Sequence, residues 1–191
     1  PIFAQSRTVN LSHLAIHLPG RALHASHYRR LQRFFQFVHL DSDRLAVLVV
    51  QMLNLQRPKC LALDRTNWKI GSTDVNILML AIVTRRFRVP LLWTLLPHQG
   101  CSDIGQRIAL MRRYLALFDA SSITMLLADR EFIGKEWIGW LNDNRIRYYI
   151  RIRQDIWVVK PSTGERIRAW WLFNSLKVGQ EKFYYKTVLH K

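Results

Sequence analysis

LLADREFIGKEW, residues 126–137, combines the pattern of a buried strand with a charged residue at its end. In it a short apolar run stops at Asp129, and a helix-like segment follows. LALDRTNWK, residues 61–69, repeats the arrangement: an apolar run stops at Asp64, and an arginine follows the aspartate in both places. Each run has the length of a strand, so both patterns predict a buried strand that ends on a carboxylate. If the two strands are neighbours in one sheet, Asp64 and Asp129 meet at its edge.

Two carboxylates held close together are stable when a cation lies between them. Hard divalent ions such as Mg²⁺ prefer oxygen ligands, and a pair of such ions can activate an attacking oxygen and stabilise a leaving one in phosphodiester chemistry. A single aspartate at the end of a strand is more often a turn former or a helix cap. From the residues alone, a metal site and a pair of turns both remain open.

The segments between and after the two aspartates alternate between strand and helix patterns. The strand patterns are VNILMLAIV and VPLLWTLL before the second motif and IRYYIRIR after it; the helix patterns are DIGQRIALMRRYLALFD, capped by Ser102 or Asp103, and GKEWIGWLNDN. The order is three strands, a helix, a strand, a helix and a strand, which indicates an α/β sheet covered by helices. Trp68 is expected in the core.

Two further regions flank this α/β region, which spans residues 58–154. Residues 1–57 have apolar positions at helical spacing with arginines near the other face, which is compatible with a helical DNA-binding region or with a plain helical bundle. Residues 155–191 resemble β-hairpin material around a PSTGE turn.

The charge balance indicates a polyanionic partner. Lys and Arg total 29 against 13 Asp and Glu, a net charge of +16, and a basic excess of this size is typical of nucleic-acid binding. No apolar run reaches the roughly 18 residues that a membrane span needs. Cys60 and Cys101 lie far apart, which suggests neither a disulfide framework nor a zinc site and favours a reducing compartment.

The motifs ALDRTNWKIG, VNILMLAIV and LLADREFIGKEW, in this order, resemble the catalytic core of DDE-type bacterial insertion-sequence transposases of the IS-four-like group. The resemblance covers roughly residues 60–153. It implies an RNase H-like fold in which two aspartates on adjacent strands and a later glutamate bind two Mg²⁺ ions, with Mn²⁺ as a substitute. By this resemblance Asp64 and Asp129 are the first two catalytic metal ligands, and residues 155–191 begin a β-rich insertion.

The third acidic residue of that family is not found in these residues. It lies in a pattern Tyr-x₂-Arg-x₃-Glu-x₆-Lys on a helix, and the nearest match here, Tyr148, Arg151 and Asp155, falls on a period-two segment where that spacing loses its meaning. We therefore expect the RNase H-like core to be partial, with the third acid outside these 191 residues. Such a chain is expected to bind DNA and a metal weakly without transposing, so the sequence leaves enzymatic activity undecided.

The expected function is that of a transposase, which binds transposon ends and target DNA, cleaves phosphodiester bonds with a metal ion and transfers strands, as a homodimer on DNA in the bacterial cytoplasm at the nucleoid. The alternatives are a catalytically inactive DNA-binding remnant and an RNase H-like metal nuclease. Basic and amide side chains that flank the aspartates, or follow them on the fifth strand, are expected to hold DNA unless they are only solvated charges. These residues are Arg65, Asn67, Lys69, Arg130, Lys135, Arg151 and Arg153.

Overall fold

The computed structural model describes residues 8–55, 59–160, 162–184 and 189–190. The chain forms two compact units, Pro1–Asp41 and Ser42–Lys191. The boundary predicted after residue 57 lies outside the described residues. The third helix of the predicted helical region belongs to the second unit, so the first compact unit ends at Asp41.

The first unit contains helices α1 (Leu11–Ile16) and α2 (His24–Phe37). Asn10 caps α1, because its side-chain oxygen accepts a hydrogen bond from the backbone N–H of Ser12 at 2.9 Å. Helix α2 carries the arginines that the sequence placed near one face, and its buried residue is His27. The helical prediction for this part is confirmed, while its role in DNA binding stays a prediction.

The second unit alternates strands and helices in the predicted order. Its elements are α3 (Ser42–Met52), β1 (Lys59–Ile70), β2 (Thr73–Val83), β3 (Arg88–Leu96), α4 (Ile104–Phe118), β4 (Ile123–Ala128), α5 (Lys135–Asp143), β5 (Tyr148–Ile150), β6 (Trp157–Val159), β7 (Arg166–Arg168) and β8 (Leu189–His190). Asp103 is the N-cap of helix α4 and forms a capping box, in which the Asp103 carboxylate accepts from the Gln106 N–H and the Gln106 side chain accepts from the Asp103 N–H.

Strands β1 to β5 form one mixed sheet in the order β3-β2-β1-β4-β5. Strands β1, β2 and β3 are an antiparallel meander. Strand β4 then lies parallel to β1 on its other side, and β5 lies parallel to β4. The expected class, a mixed α/β sheet flanked by helices, is therefore the observed one.

The main hydrophobic core covers one face of this sheet. Leu61 and Leu63 on β1 and Leu78 and Leu80 on β2 are buried there, because alternate residues of a strand point to the same face. Helices α3, α4 and α5 supply the facing layer, with buried residues that include Val50, Tyr114 and Trp137 respectively. The other face carries Ala62, Asp64 and Met79, which line one cleft.

Strand β1 is longer than predicted. The apolar run suggests a strand that ends at Asp64, but the β1–β2 hairpin continues to Ile70. The pairing of β1 with β4 ends earlier, at Leu63 opposite Ala128, so the rest of β1 is paired on one side only. The prediction that Trp68 lies in the core is wrong for this reason: it sits on the projecting part of β1 and is 60% exposed.

A second, smaller sheet follows in the order β7-β6-β8. Strands β6 and β7 pair antiparallel as the predicted hairpin; Pro161, which starts the predicted PSTGE turn, lies outside the described residues. Val158, Ala169 and Leu172 form a small core of their own. Among the described residues, no helix is both long enough and apolar enough to cross a lipid bilayer.

Candidate metal and nucleic-acid site

Asp64 and Asp129 lie side by side where two parallel strands separate. The last paired residues of β1 and β4 are Leu63 and Ala128, and each aspartate is the next residue along its strand. Both side chains are exposed, and both line one cleft of about 480 Å³ on the sheet face away from the helices. The structure thus brings together the two carboxylates that the sequence paired.

The two aspartates have the same local structure. The Asp64 Oδ1 atom accepts a hydrogen bond from the backbone N–H of Arg65 at 2.8 Å. The Asp129 Oδ1 atom accepts one from the backbone N–H of Arg130 at 2.7 Å. Within the described part of the chain, neither Oδ2 atom has a hydrogen-bond partner or an ion pair, so each carboxylate keeps an oxygen for an external ligand.

This donor set fits a hydrated divalent cation. Mg²⁺ usually keeps several waters and binds proteins through one or two carboxylates, and the exposed cleft leaves room for both. Across residues 8–55, 59–160, 162–184 and 189–190, no group of three or more His, Cys, Asp or Glu side chains could hold a metal ion. In the described part of the chain, two carboxylates line this cleft, and no third His, Cys, Asp or Glu side chain joins them in a group that could hold a metal ion.

Arg65, predicted to hold DNA, is engaged in an ion pair on the opposite face of the sheet. Its Nε atom donates to Glu131 at 3.0 and 3.3 Å and its Nη2 atom at 3.1 Å. The Arg65 side chain is 14% exposed and that of Glu131 22%. The hydrogen bond to Glu131 raises the pKa of Arg65.

Two buried polar residues hold this ion pair in place. Asn76, 4% exposed, accepts from Arg65 Nη1 at 3.3 Å and donates to the backbone oxygens of His98 and Gly100. Arg107, 7% exposed, donates to the backbone oxygen of Glu131 at 3.2 Å. Burial lowers the pKa of Arg107.

Glu131, Asn76 and Arg107 are not among the residues predicted from the sequence to form the site. A polar residue inside an apolar strand pattern, as Asn76 is in VNILMLAIV, is the signal that points to a buried hydrogen-bond network. Glu131 and Arg107 offer no such signal, since charged residues beside a turn and on a helix are usually solvated.

Two of the predicted DNA-binding arginines lie close to the carboxylates. Arg151 lines the cleft, and its backbone N–H donates to the Ala128 oxygen at 3.2 Å. Arg130 follows Asp129 directly and is exposed. Arg88, which is not among the residues predicted from the sequence, is a further cation that lines the same cleft.

The other predicted DNA-binding residues are placed differently. Asn67 is exposed and accepts from Arg65 Nη1 at 2.7 Å. Lys69 lies five positions beyond Asp64 on the projecting hairpin, about 17 Å along the strand. Lys135 is exposed at the start of α5, and Arg153 forms an exposed ion pair with Asp155 at 2.7 Å. None of these four residues lines the cleft that contains the two carboxylates.

No protein-family model matches the chain, and no curated protein matches it. Among solved structures, a chain from the cryo-EM structure of the simian T-cell lymphotropic virus intasome in complex with PP2A regulatory subunit B56 gamma is similar at 13% identity and a TM-score of 0.38. The match covers 56% of this chain and 35% of that chain, so this chain spans about a third of the solved chain. A TM-score of 0.38 is too low to establish a shared fold.

Proposed function

We propose that this chain is the partial catalytic core of a DDE-type insertion-sequence transposase with an RNase H-like fold. The strand order β3-β2-β1-β4-β5, with a helix after β3 and another after β4, supports the fold assignment. The observation that carries the function is the position of Asp64 and Asp129, each directly beyond the last pair of two adjacent parallel strands. The motifs around both residues are those on which the family resemblance rests.

In this proposal Asp64 and Asp129 together hold Mg²⁺ or Mn²⁺, and the complete transposase binds two ions with a third acidic residue. The metal would supply Lewis-acid stabilisation of charge on the phosphodiester oxygens. The backbone N–H groups of Arg65 and Arg130 orient the two carboxylates by binding one oxygen of each. Arg88 and Arg151 line the same cleft and would bind phosphate oxygens beside the metal.

The partner class follows from charge. A net charge of +16 attracts the phosphate backbone strongly, and we propose transposon ends and target DNA as the ligands, with a homodimer on DNA in the bacterial cytoplasm at the nucleoid. Arg65, Asn67, Lys69, Arg130, Lys135 and Arg153 stay predicted DNA-binding residues, and the ion pair with Glu131 makes Arg65 the least accessible of them.

The test is Mn²⁺ binding by isothermal titration calorimetry, paired with cleavage of end-labelled duplex DNA in Mn²⁺ or Mg²⁺. We expect the wild-type chain to bind Mn²⁺, and Asp64→Asn and Asp129→Asn each to lose that binding. Asp143→Asn is the matched control, because it makes the same charge change at the exposed last residue of α5. Mn²⁺ binding that is unchanged in both site variants would contradict the proposed metal site.

A second candidate is a DNA-binding remnant without catalysis. It is favoured by the absence of a third metal-binding side chain from the described residues. Under this alternative, DNA affinity in EDTA is the same for wild type and for the Asp64→Asn, Asp129→Asn double variant, and no cleavage is seen with either metal. Asp64-dependent cleavage without joining of strands would instead indicate a metal nuclease.

A further inference from the structure

We propose that Arg65 and Glu131 are positioning residues, which hold the two aspartate-bearing segments at the separation at which both carboxylates reach one divalent cation. This inference rests on the metal site of the proposed function and assigns a role to two residues outside it. Arg65 follows Asp64 directly and Glu131 lies two positions after Asp129, so a link between them fixes both segments.

Such a link is needed because the backbone pairing of β1 with β4 stops one residue too early. The ladder ends at Leu63 and Ala128, so the aspartates themselves lie beyond it. Two like charges at adjacent positions repel each other before a metal is bound. The Arg65–Glu131 ion pair joins the same two segments on the other side of the sheet and opposes their separation.

The geometry of the Arg65–Glu131 ion pair restricts the positions of both side chains. Three N···O contacts of 3.0, 3.3 and 3.1 Å join the guanidinium to both carboxylate oxygens, and charge-assisted contacts of this forked kind restrict orientation as well as distance. With side chains 14% and 22% exposed, the pair is less screened by solvent than a surface ion pair.

Both partners are also fixed to the rest of the second unit. Asn76 binds the Arg65 guanidinium and ties it to the loop after β3 through the oxygens of His98 and Gly100. Arg107 on α4 binds the backbone oxygen of Glu131 and lies over the Phe132 ring at 5.1 Å. Both ends of the ion pair are therefore held by further contacts, so the pair restricts the separation of the two aspartate-bearing segments.

The experiment measures Mn²⁺ affinity by calorimetry and the thermal midpoint of the metal-free protein for Glu131→Ala, Glu131→Gln and the Arg65→Ala, Glu131→Ala double variant. We expect Glu131→Ala to weaken Mn²⁺ binding about 10-fold, the order found when a group that orients a metal ligand is removed. Glu131→Gln, which keeps one acceptor oxygen for Arg65, should recover part of the affinity. The double variant should bind Mn²⁺ no more weakly than Glu131→Ala alone, because both substitutions break the same link.

Two matched controls separate positioning from simpler effects. Glu136→Ala removes the same charge from the exposed first turn of α5, so it measures the loss of long-range attraction for the cation. Asp43→Asn disrupts the 2.5 Å contact between Asp43 and Arg113, so it measures the cost of weakening an ion pair that includes neither aspartate-bearing segment. We expect both controls to bind Mn²⁺ as wild type does.

The outcomes distinguish this inference from the function on which it rests. If wild type shows no Asp64-dependent Mn²⁺ binding, the metal site and the positioning role are both refuted. If Asp64→Asn loses Mn²⁺ binding while Glu131→Ala has the same Mn²⁺ affinity as Glu136→Ala, the metal site is supported and the positioning role is refuted. If every Glu131 variant is unfolded without metal while Asp43→Asn is folded, the pair maintains the fold and the positioning role is refuted as well.

Discussion

At the scale of residues, the side chains of Asp64 and Arg65 lie in different environments, because neighbouring side chains on a strand point to opposite faces of the sheet. Asp64 faces the open cleft, whereas Arg65 faces the helix layer and meets Glu131 there. An arginine beside a carboxylate in an open cleft is easily interpreted as a phosphate-binding group. In this chain its position in the strand gives it a partly buried ion-pair partner, Glu131, instead.

Lys59 is a second cation, and its burial is expected to affect the stability of the folded protein in a pH-dependent way. It is 5% exposed and lies near the Phe118 ring, and burial lowers its pKa below the ordinary 10.5. The unfolded chain therefore binds this proton more tightly than the folded protein does, and the cost of burying the charge is relieved as pH rises toward 10.5. We expect Lys59→Met to raise the thermal midpoint at pH 7 and the gain to shrink toward pH 10.

The comparison is a set of thermal melts of wild type and Lys59→Met from pH 7 to pH 10. Lys69→Met serves as the control, since Lys69 lies on the exposed end of the same strand. The quantity to compare across this range is the difference in thermal midpoint between Lys59→Met and wild type. Burial also raises the pKa of Cys60 and of Tyr114, and taking the difference removes these two contributions because both proteins share them. A gain that is constant across this range would contradict the assignment to a buried charge.

At the scale of elements, helix α4 depends on its capping box. The Asp103 carboxylate accepts the Gln106 N–H at 2.8 Å, and the Gln106 side chain accepts the Asp103 N–H at 2.9 Å. Loss of an N-cap of this kind costs about 1 kcal/mol. We expect Asp103→Ala to lower the free energy of unfolding by about that amount, and Asp103→Asn, which keeps an acceptor oxygen, to lower it less.

Urea denaturation followed by circular dichroism measures both variants. Helix α4 packs Leu110, Met111 and Tyr114 into the core, so it unfolds with the sheet and the effect appears in the global transition. Asp143→Asn, at the last residue of α5, is the control at a helix end without this cap. An Asp103→Ala variant as stable as wild type would show that the box is not formed in solution.

At the scale of the whole molecule, the net charge of +16 predicts a steep salt dependence of DNA affinity. Each phosphate contact by a cation releases condensed counterions, so its loss reduces the slope of log affinity against log salt by about 1. We expect Arg151→Gln to reduce the slope by this amount, since Arg151 lines the carboxylate cleft. Fluorescence anisotropy with a labelled duplex in EDTA, over a range of NaCl concentrations, gives the slope.

Arg145→Gln is the control for this measurement. Arg145 borders a depression with Ser121 and Thr124, at the opposite ends of β4 and β5 from the aspartates, so we expect its slope to equal that of wild type. Equal slopes for wild type and Arg151→Gln would mean that the cleft does not bind the DNA backbone.

The order of strands and helices could be predicted because it depends on local properties. Apolar residues at every second or every third to fourth position, and a capping residue such as Asp103, depend only on neighbours in sequence. The pairing of Asp64 with Asp129 could be predicted because two apolar runs stop in the same way. The end of β1 could not, since the apolar run stops at Asp64 whereas hydrogen bonds to β2 extend the strand to Ile70.

Local patterns along the chain thus specify the elements and the two carboxylates, because hydrophobic period and turn chemistry act between near neighbours. The contact of Arg65 with Glu131 joins residues 66 positions apart and depends on the register of β1 against β4, which no local pattern encodes. The same register leaves Trp68 exposed and places Asp64 next to Asp129. Long-range strand pairing, with its hydrogen bonds and buried core, therefore decides which side chains share a site.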